Sequence, residues 1–391
     1  MKLFQTLIFA VVAAIFIPLV FAATASAQTV SVSDLEELYT AVNDPANAGA
    51  TLVLSPGVYT LSANDPANLP RPNRGRLELQ ENMSLIGVVN DRNAVVIDAI
   101  SLPVSSYQPA PLTGAIRVGR GTNTIEWLTV KNSLNGTANI DADLIWPGTA
   151  YVRIAHIASS NALRGIDVRN LGAAAAGAMI VAEIVDNDLF GNQLLQGEGM
   201  RFGNNVGANG ASVFATLHGN RSFGNVQGML LENNRTDSAT VSVTSSGDRF
   251  FENGAGIIIL AGLSFNSVAA NGNTVNFTAH GTRIDDNNGF TTFDRGGLII
   301  VAGENTSIPN GTNGNTANVS LWGCRMSGNQ LWDLGAIGAR SAPESLGSPG
   351  LNNRVTIDIQ GEGKRSESVE YFANSIPFDP NTTNSARIFR F

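Results

Sequence analysis

Gly219-Asn220-Arg221…Asn225, Gly247-Asp248-Arg249…Asn253, Gly281-Thr282-Arg283…Asn287 and Gly323-Cys324-Arg325…Asn329 are four copies of one phrase, G-x-R-x-x-x-N. Their starts lie 28, 34 and 42 residues apart, and a looser copy, Asp186-Asn187-Asp188…Asn192, precedes them by 33. A fixed phrase with elastic spacing marks a solenoid, whose coils stack in register while the loops between strands vary.

The flanks give the kind of coil. Ala211–His218, Ala239–Ser246, Asn273–His280 and Asn315–Trp322 alternate apolar and polar residues ahead of each Gly, the period of a β-strand. Asn353–Gln360 before Gly361 fits as one more coil. After each Asn a second strand opens on Gly, as in Gly199-Met-Arg-Phe, Gly228-Met-Leu-Leu, Gly256-Ile-Ile-Ile and Gly297-Leu-Ile-Ile. Inside the phrase, Leu189, Phe250, Ile284 and Met326 supply an inward residue on a short third strand, with Ser222 the exception. Three strands per coil without a helical period predict an all-β parallel β-helix. Asn192, Asn225, Asn253, Asn287 and Asn329 are expected in one vertical line at one turn, where Asn tolerates left-handed backbone and amides can bond along the axis.

Residues 1–27 read as a signal peptide, with Lys2, an apolar run from Leu3 to Phe21, and Ala25-Ser26-Ala27 as cleavage site. An uncleaved anchor is the alternative, since the run is long enough to span a bilayer. The formal charge of −8 becomes −9 once Lys2 is removed, which argues against nucleic acid or anionic membrane as partner. Secretion or placement at the cell envelope is expected, with no membrane span after cleavage. The 14% of charged residues and 41 Gly suit a stacked, turn-rich β-structure. Cys324 is the single cysteine, which rules out an intrachain disulfide. Its place in the column of Asn187, Asn220, Asp248 and Thr282 suggests a buried small residue.

Ser33-Asp34-Leu35-Glu36 reads as a capping box with Ser33 at the N-cap. Leu35, Leu38, Tyr39 and Val42 then share a helical face, and Asn43-Asp44-Pro45 ends the helix. Such a helix would plug the open apolar end of the first coil. Less regular strands follow, including Thr51–Leu54, Val58–Leu61, Ala94–Asp98 and one strand over Thr124–Val130. The expected organisation is a signal peptide (1–27), one β-helix domain (28–366) and a C-terminal tail or cap (367–391) bearing Tyr371, Phe372, Phe378, Phe389 and Phe391.

The helix, the Leu54-Ser55-Pro56-Gly57-Val58-Tyr59 segment and repeats of the form N-x-apolar-x-x-N…G-apolar-x-apolar resemble the right-handed β-helix proteins of the pectate-lyase-like superfamily, over roughly residues 30 to 365. That resemblance implies the fold. The superfamily includes polysaccharide lyases, glycoside hydrolases, esterases, epimerases, adhesins and tailspikes, so fold does not choose the activity. Asn234-Arg235-Thr236-Asp237 and His218-Gly219-Asn220 are only fragments of the polygalacturonase-type signature. No pectate-lyase calcium-and-arginine motif matches.

The candidate chemistry lies on the Gly-opened strands. One outward row is expected to read Asp167, Arg201, Leu230, Ile258, Ile299, Ile337, and the next Arg169, Gly203, Glu232, Leu260, Val301, Ala339. With coils about 4.8 Å apart, Asp167, Arg169, Arg201 and Glu232 should form one charged patch. β-Elimination at a uronate needs a base by the C5 proton and a cation on the carboxylate, and glycoside hydrolysis needs two carboxyls. Asp167, Arg201 and Glu232 are therefore the catalytic candidates. Arg169, Glu198, Trp146 and Trp332 are the substrate-binding ones. Surface ion pairs of little energetic worth are the plainer reading of the patch. The apolar strip Ile258, Ile299, Ile337 calls for a cover, such as the aromatic tail, a ligand or a second subunit in an oligomer. Arg221, Arg249, Arg283 and Arg325 form a cationic row, offset by local carboxylates or an anionic polymer. His218 and His280 sit two coils apart, roughly 9–10 Å, too far for one metal. No protein metal site is assigned, although calcium is a candidate cofactor for a lyase.

Polysaccharide or surface glycan is thus the expected partner. A secreted carbohydrate-active lyase or hydrolase competes with a non-catalytic glycan-binding or adhesive protein and with a structural envelope or spike subunit. A groove of converging carboxylates favours the first, an exposed Trp on a flat face the second, and an uncovered apolar strip the third.

Overall fold

The computed structural model describes residues 28–103, 114–118, 120–134, 138–194, 197–288, 296–306, 312–341, 350–361, 370–376 and 382–390. Residues 1–27, Phe378 and Phe391 lie outside the described residues.

The coils stack as a right-handed parallel β-helix with three sheets of twelve, ten and nine strands among the described residues. Every strand pair between coils is parallel, as between Thr240–Ser246 and Thr274–His280 on the twelve-stranded sheet. Inward residues of all three sheets form one continuous core, from Val32 to Ile359.

The anticipated Asn column is present as a hydrogen-bonded ladder. Asn192, Asn225, Asn253 and Asn287 each donate Nδ2–H to Oδ1 of the next member, at 2.9, 3.1, 3.0 and 2.7 Å. Each Oδ1 also accepts the backbone N–H of the Asn one coil earlier. Buried turn backbone is thereby satisfied at every coil, where an orphaned group would cost about 1–3 kcal/mol. Asp333 ends the ladder by accepting from Asn329 at 2.6 Å. Two further ladders, Asn273–Asn315–Asn353–Asn384 and Asn170–Asn204–Asn233, line other turns.

The ladder explains the Gly that opens each second strand. A Cβ on Gly256 would lie 2.5 Å from Gly297 O and 2.9 Å from Asn287 Nδ2. The phrase-initial Gly is conformational instead. Gly219, Gly247, Gly281 and Gly323 all have φ near +60°, the region that glycine enters without cost. Trp127, His156 and Asp186 adopt the same backbone in earlier coils. Hence Thr124–Val130 is not one strand. Gly121–Glu126 belongs to the twelve-stranded sheet and Thr129–Lys131 to the nine-stranded one, with the corner at Trp127.

At the N-terminus the helix Leu35–Asn43 buries Leu38, Tyr39, Ala41 and Val42 against the first coil. Its N-cap is Asp34 rather than Ser33. Asp34 accepts from Glu37 N at 2.9 Å, and Glu37 reaches back to Ser33 N at 2.7 Å. Two tandem cap residues, each with Glu three positions on, make the sequence ambiguous by one residue. The tail extends the stack and also touches the apolar strip, against which Tyr371 and Ile376 pack. Glu370–Ile376 and Ser385–Arg390 pair as further rungs of the ten- and twelve-stranded sheets. Among the described residues, no helix is long and apolar enough to cross a membrane.

Candidate functional site

The ten-stranded sheet carries the candidates on its outer face, because Ile166 and Val168 alternate inward with Asp167 and Arg169 outward. The expected register holds over most of its length. Asp167 lies opposite Arg201, Arg201 opposite Leu230, and Gly203 opposite Glu232. It slips at Leu334–Ser341, where Ile299 faces Gly335 and Val301 faces Ile337. Asp333, not Gly335, takes the strand-opening position. Gly335 instead makes room for Trp332, whose ring a Cβ there would meet at 3.1 Å.

The structure brings Asp167, Arg169, Glu198, Arg201 and Glu232 together with four residues outside the expected set, Arg117, Asp141, Asp143 and Arg164. Arg169 holds Asp143 with both Nε and Nη2 and approaches Asp167 Oδ1 at 2.8 Å. Arg164 Nε lies 2.9 Å from Glu198 Oε2, and its Nη1 lies 3.4 Å from Asp167 Oδ2. Arg201 binds Glu232, which also accepts from Asn205 Nδ2 at 2.7 Å. Arg117 donates to Asp143 O and pairs with Glu78 at 3.0 Å.

This patch is not a solvated surface. Asp167 and Glu198 are 0% exposed, and Arg169, the most open of the nine, is 7%. Outwardness follows from strand alternation, but alternation says nothing of what lies over the outer face. Burial drives the titration. It raises the carboxyl of Asp141, with Asp167 adding, and lifts Asp143 well above the usual range against the pull of Arg169. It also raises Glu198, against Arg164 and Arg201. Burial would lower Arg169, but Asp143, Asp167 and Asp141 outweigh it, so the guanidinium is held more firmly charged. Arg201 is pushed down to about 9 by burial, with Arg164 and Arg169 adding, and stays a cation at neutral pH. Five buried carboxyls face four buried guanidiniums, and the partly exposed Glu78 adds a sixth carboxyl at Arg117. Asp167 and Glu198 have ion-pair contacts but no aligned hydrogen bond to any oxygen.

Guanidiniums fill the place a cation would take. Among the described residues no group of three or more His, Cys, Asp or Glu could hold a metal. The network therefore does not fit calcium.

Further along the same rows the face becomes apolar. Leu230, Ala255, Ile258, Leu260, Ile299, Val301 and Ile337 form a second buried cluster, separate from the core. Trp332 packs on this cluster and stacks on Tyr371, with ring centres 4.7 Å apart. It therefore lies well away from the charged network in the coil stack.

Trp146 lies at the network's N-terminal end, in a cleft of about 370 Å3 with Asn43, Asn73, Glu78, Gln80, Glu81 and Arg120 in its wall. The Arg120 guanidinium sits 4.4 Å from the Trp146 ring centre and Arg117 5.1 Å. Arg120 has no carboxylate partner among the described residues. The Trp146 Nε1–H is buried and has no acceptor among the described residues. Glu78 joins cleft and network, since it lines the one and pairs with Arg117 in the other. Glu78, on the short strand Leu77–Glu78, and Arg120, just beyond Ile116–Arg117, escaped the sequence reading because nothing in either segment marks it as a neighbour of Trp146.

Elsewhere, Cys324 is half-buried, donates S–H to Ala279 O at 3.3 Å, and has its thiol pKa raised by burial. His218 and His280 are separated by the Ser246 rung.

No protein-family model and no curated protein matches the chain. Solved structures do. Pectate lyase Pel9A is similar at 14% identity over 78% of this chain and 79% of that one, with a TM-score of 0.41. The A-module of Azotobacter vinelandii mannuronan C-5 epimerase AlgE6 is similar at 17% over 92% and 96%, with a TM-score of 0.37. The Agl-KA catalytic domain is similar at 12% over 94% and 69%, with a TM-score of 0.40. At these identities the likeness is one of fold.

Proposed function

We propose that this is an exported carbohydrate-binding β-helix protein that takes an acidic sugar in the cleft beside Trp146. One observation carries the reading. An indole ring and the Arg120 guanidinium, which has no carboxylate partner among the described residues, converge in one cleft walled by carboxylates and amides. The ring offers an apolar platform for a pyranose face. Arg120 offers a fork for a carboxylate or sulfate. Glu78, Glu81, Gln80, Asn43 and Asn73 offer hydroxyl partners. The volume falls in the range of small-ligand sites, roughly 300–1,000 Å3.

The test is a binding screen on immobilised pectate, alginate and neutral glucans. Retention on an acidic polymer that is lost in Trp146→Ala supports the proposal. Equal retention on all polymers, or none, contradicts it.

A second reading keeps Asp167, Arg201 and Glu232 as catalytic residues of a lyase or hydrolase. Its support is the pair of buried carboxyls, Asp167 and Glu198, left without hydrogen bonds, with Glu198 raised by burial. Burial of this kind favours the protonated form of Glu198, the state a general acid needs. Catalysis there requires a polymer to reach side chains now no more than 7% exposed, so binding is the better-supported function. Unsaturated product or new reducing ends from an acidic polymer, abolished in Arg201→Ala, would decide for catalysis.

A further inference from the structure

The row of arginines on the nine-stranded sheet is not uniformly neutralised. Arg221, Arg249, Arg283 and Arg325 stand opposite one another on consecutive coils. Asp188 takes Arg221 with two hydrogen bonds, at 2.7 and 2.6 Å. Asp285 approaches Arg249 at 3.4 Å, and that guanidinium also lies over the Phe251 ring. Arg283 and Arg325 are exposed and have no carboxylate partner among the described residues. Arg325 donates only to Ser327 Oγ, at 3.3 Å.

The same two coils put aromatic rings at the same corner. His280 and Trp322 face each other at the ends of their strands, with ring centres 5.9 Å apart. Trp322 is 43% exposed. Only two residues, Gly323 and Cys324, separate Trp322 from Arg325, and Gly281 and Thr282 separate His280 from Arg283. Three residues of chain reach at most about 10 Å, and the coils lie about 4.8 Å apart. The two rings and the guanidiniums of Arg283 and Arg325 therefore form one corner patch.

We infer that this corner binds an acidic polysaccharide, with a sugar ring on Trp322 and carboxylates or sulfates on Arg283 and Arg325. Exposed Trp is ordinarily costly, and two like charges one coil apart repel. An anionic ligand with a ring beside its charge relieves both. The net charge of −8 disfavours a densely charged polyanion such as nucleic acid, whereas a sugar polymer carries about one charge per ring. The corner lies at the turn between the twelve- and nine-stranded sheets, on residues that take no part in the Trp146 cleft. It rests on the reading of the protein as carbohydrate-binding but stands or falls by different residues.

The experiment titrates polygalacturonate and alginate oligosaccharides into the full chain. The proteins compared are wild type, Arg283→Ala/Arg325→Ala, Trp322→Ala and the cleft variant Trp146→Ala. Since the corner residues are exposed, the variants should melt as wild type does. A loss of about tenfold or more in both corner variants, with a weaker salt dependence in the double arginine variant, is expected. Loss confined to Trp146→Ala would leave the cleft reading intact and overturn this one. Unchanged affinity in the corner variants, no binding by wild type, or preference for single-stranded nucleic acid would also overturn it.

Discussion

Gly228 packs its bare Cα against the side-chain amide of Asn253. A Cβ there would lie 2.9 Å from Asn253 Nδ2 and 2.5 Å from Gly256 O. Two columns of the sequence, the Asn at one turn and the Gly that opens the next strand, are thus one structural device. The amides can stack only because the neighbouring strand starts without a side chain.

Gly228→Ala should therefore destabilise the fold far more than the half to one kcal/mol gained by an unstrained Gly→Ala change. A cost of about 2–4 kcal/mol is expected, the range for overpacking combined with loss of buried hydrogen bonds. Asn253→Ala should cost about as much, because it orphans Asn225 N–H, removes one acceptor of Asn225 Nδ2 and opens a gap in the ladder. Chemical unfolding of the two variants measures this, and a double variant should fall short of additivity.

That device was half legible. The Asn192 to Asn329 column repeats with a recognisable phrase, so its line could be drawn from the sequence. The ladder Asn273–Asn315–Asn353–Asn384 stood at strand starts, where Asn reads as ordinary turn chemistry. The corner at Trp127 was illegible because a positive φ was expected of Gly, and Trp, His and Asp fill that place in the early coils. Of the candidate site, the rows joining Asp167 to Arg201 and Gly203 to Glu232 followed from strand period alone. Their burial did not, since period two separates inside from outside without saying what covers the outside. Trp146 stood among the substrate-binding candidates, but its companions Glu78 and Arg120 sit far off in sequence, and nothing there ties them to it.

The buried network should respond to pH in a defined sense. Asp143 has its folded-state pKa raised well above the ordinary value by burial. The folded protein thus holds this proton more tightly than the unfolded chain. Its contribution is present at low pH and is lost as pH rises from about 4 through the folded pKa. Replacing Asp143 by Asn removes that dependence. Unfolding free energies measured from pH 4 to 7 should fall less steeply for Asp143→Asn than for wild type.

Breaking one buried pair should cost more than removing both partners. Glu232→Ala leaves Arg201 buried with one carboxylate fewer, and about 3–5 kcal/mol is expected. Glu232→Leu combined with Arg201→Met should recover much of it. Thermal melting of the three proteins checks the order.

The tail should stabilise both as a rung and through its packing on the apolar strip. Tyr371 stacks on Trp332 beside the apolar strip. Tyr371→Ala should lose about 0.5–1.5 kcal/mol of ring pairing plus the area it buries. Intrinsic fluorescence should report the freed Trp332, and hydrogen exchange should quicken in Leu334–Ser341, the strand that pairs with the tail.

The central claim is that an acidic sugar binds beside Trp146. Its most direct measurement is a calorimetric titration of an acidic hexasaccharide, from pectate or alginate, into wild type and into Arg120→Ala. Saturable binding by wild type, weakened about tenfold or more in Arg120→Ala while a neutral hexasaccharide gives no heat, is the predicted result. Equal affinity in the two proteins, or no saturable binding of any acidic sugar, would contradict it.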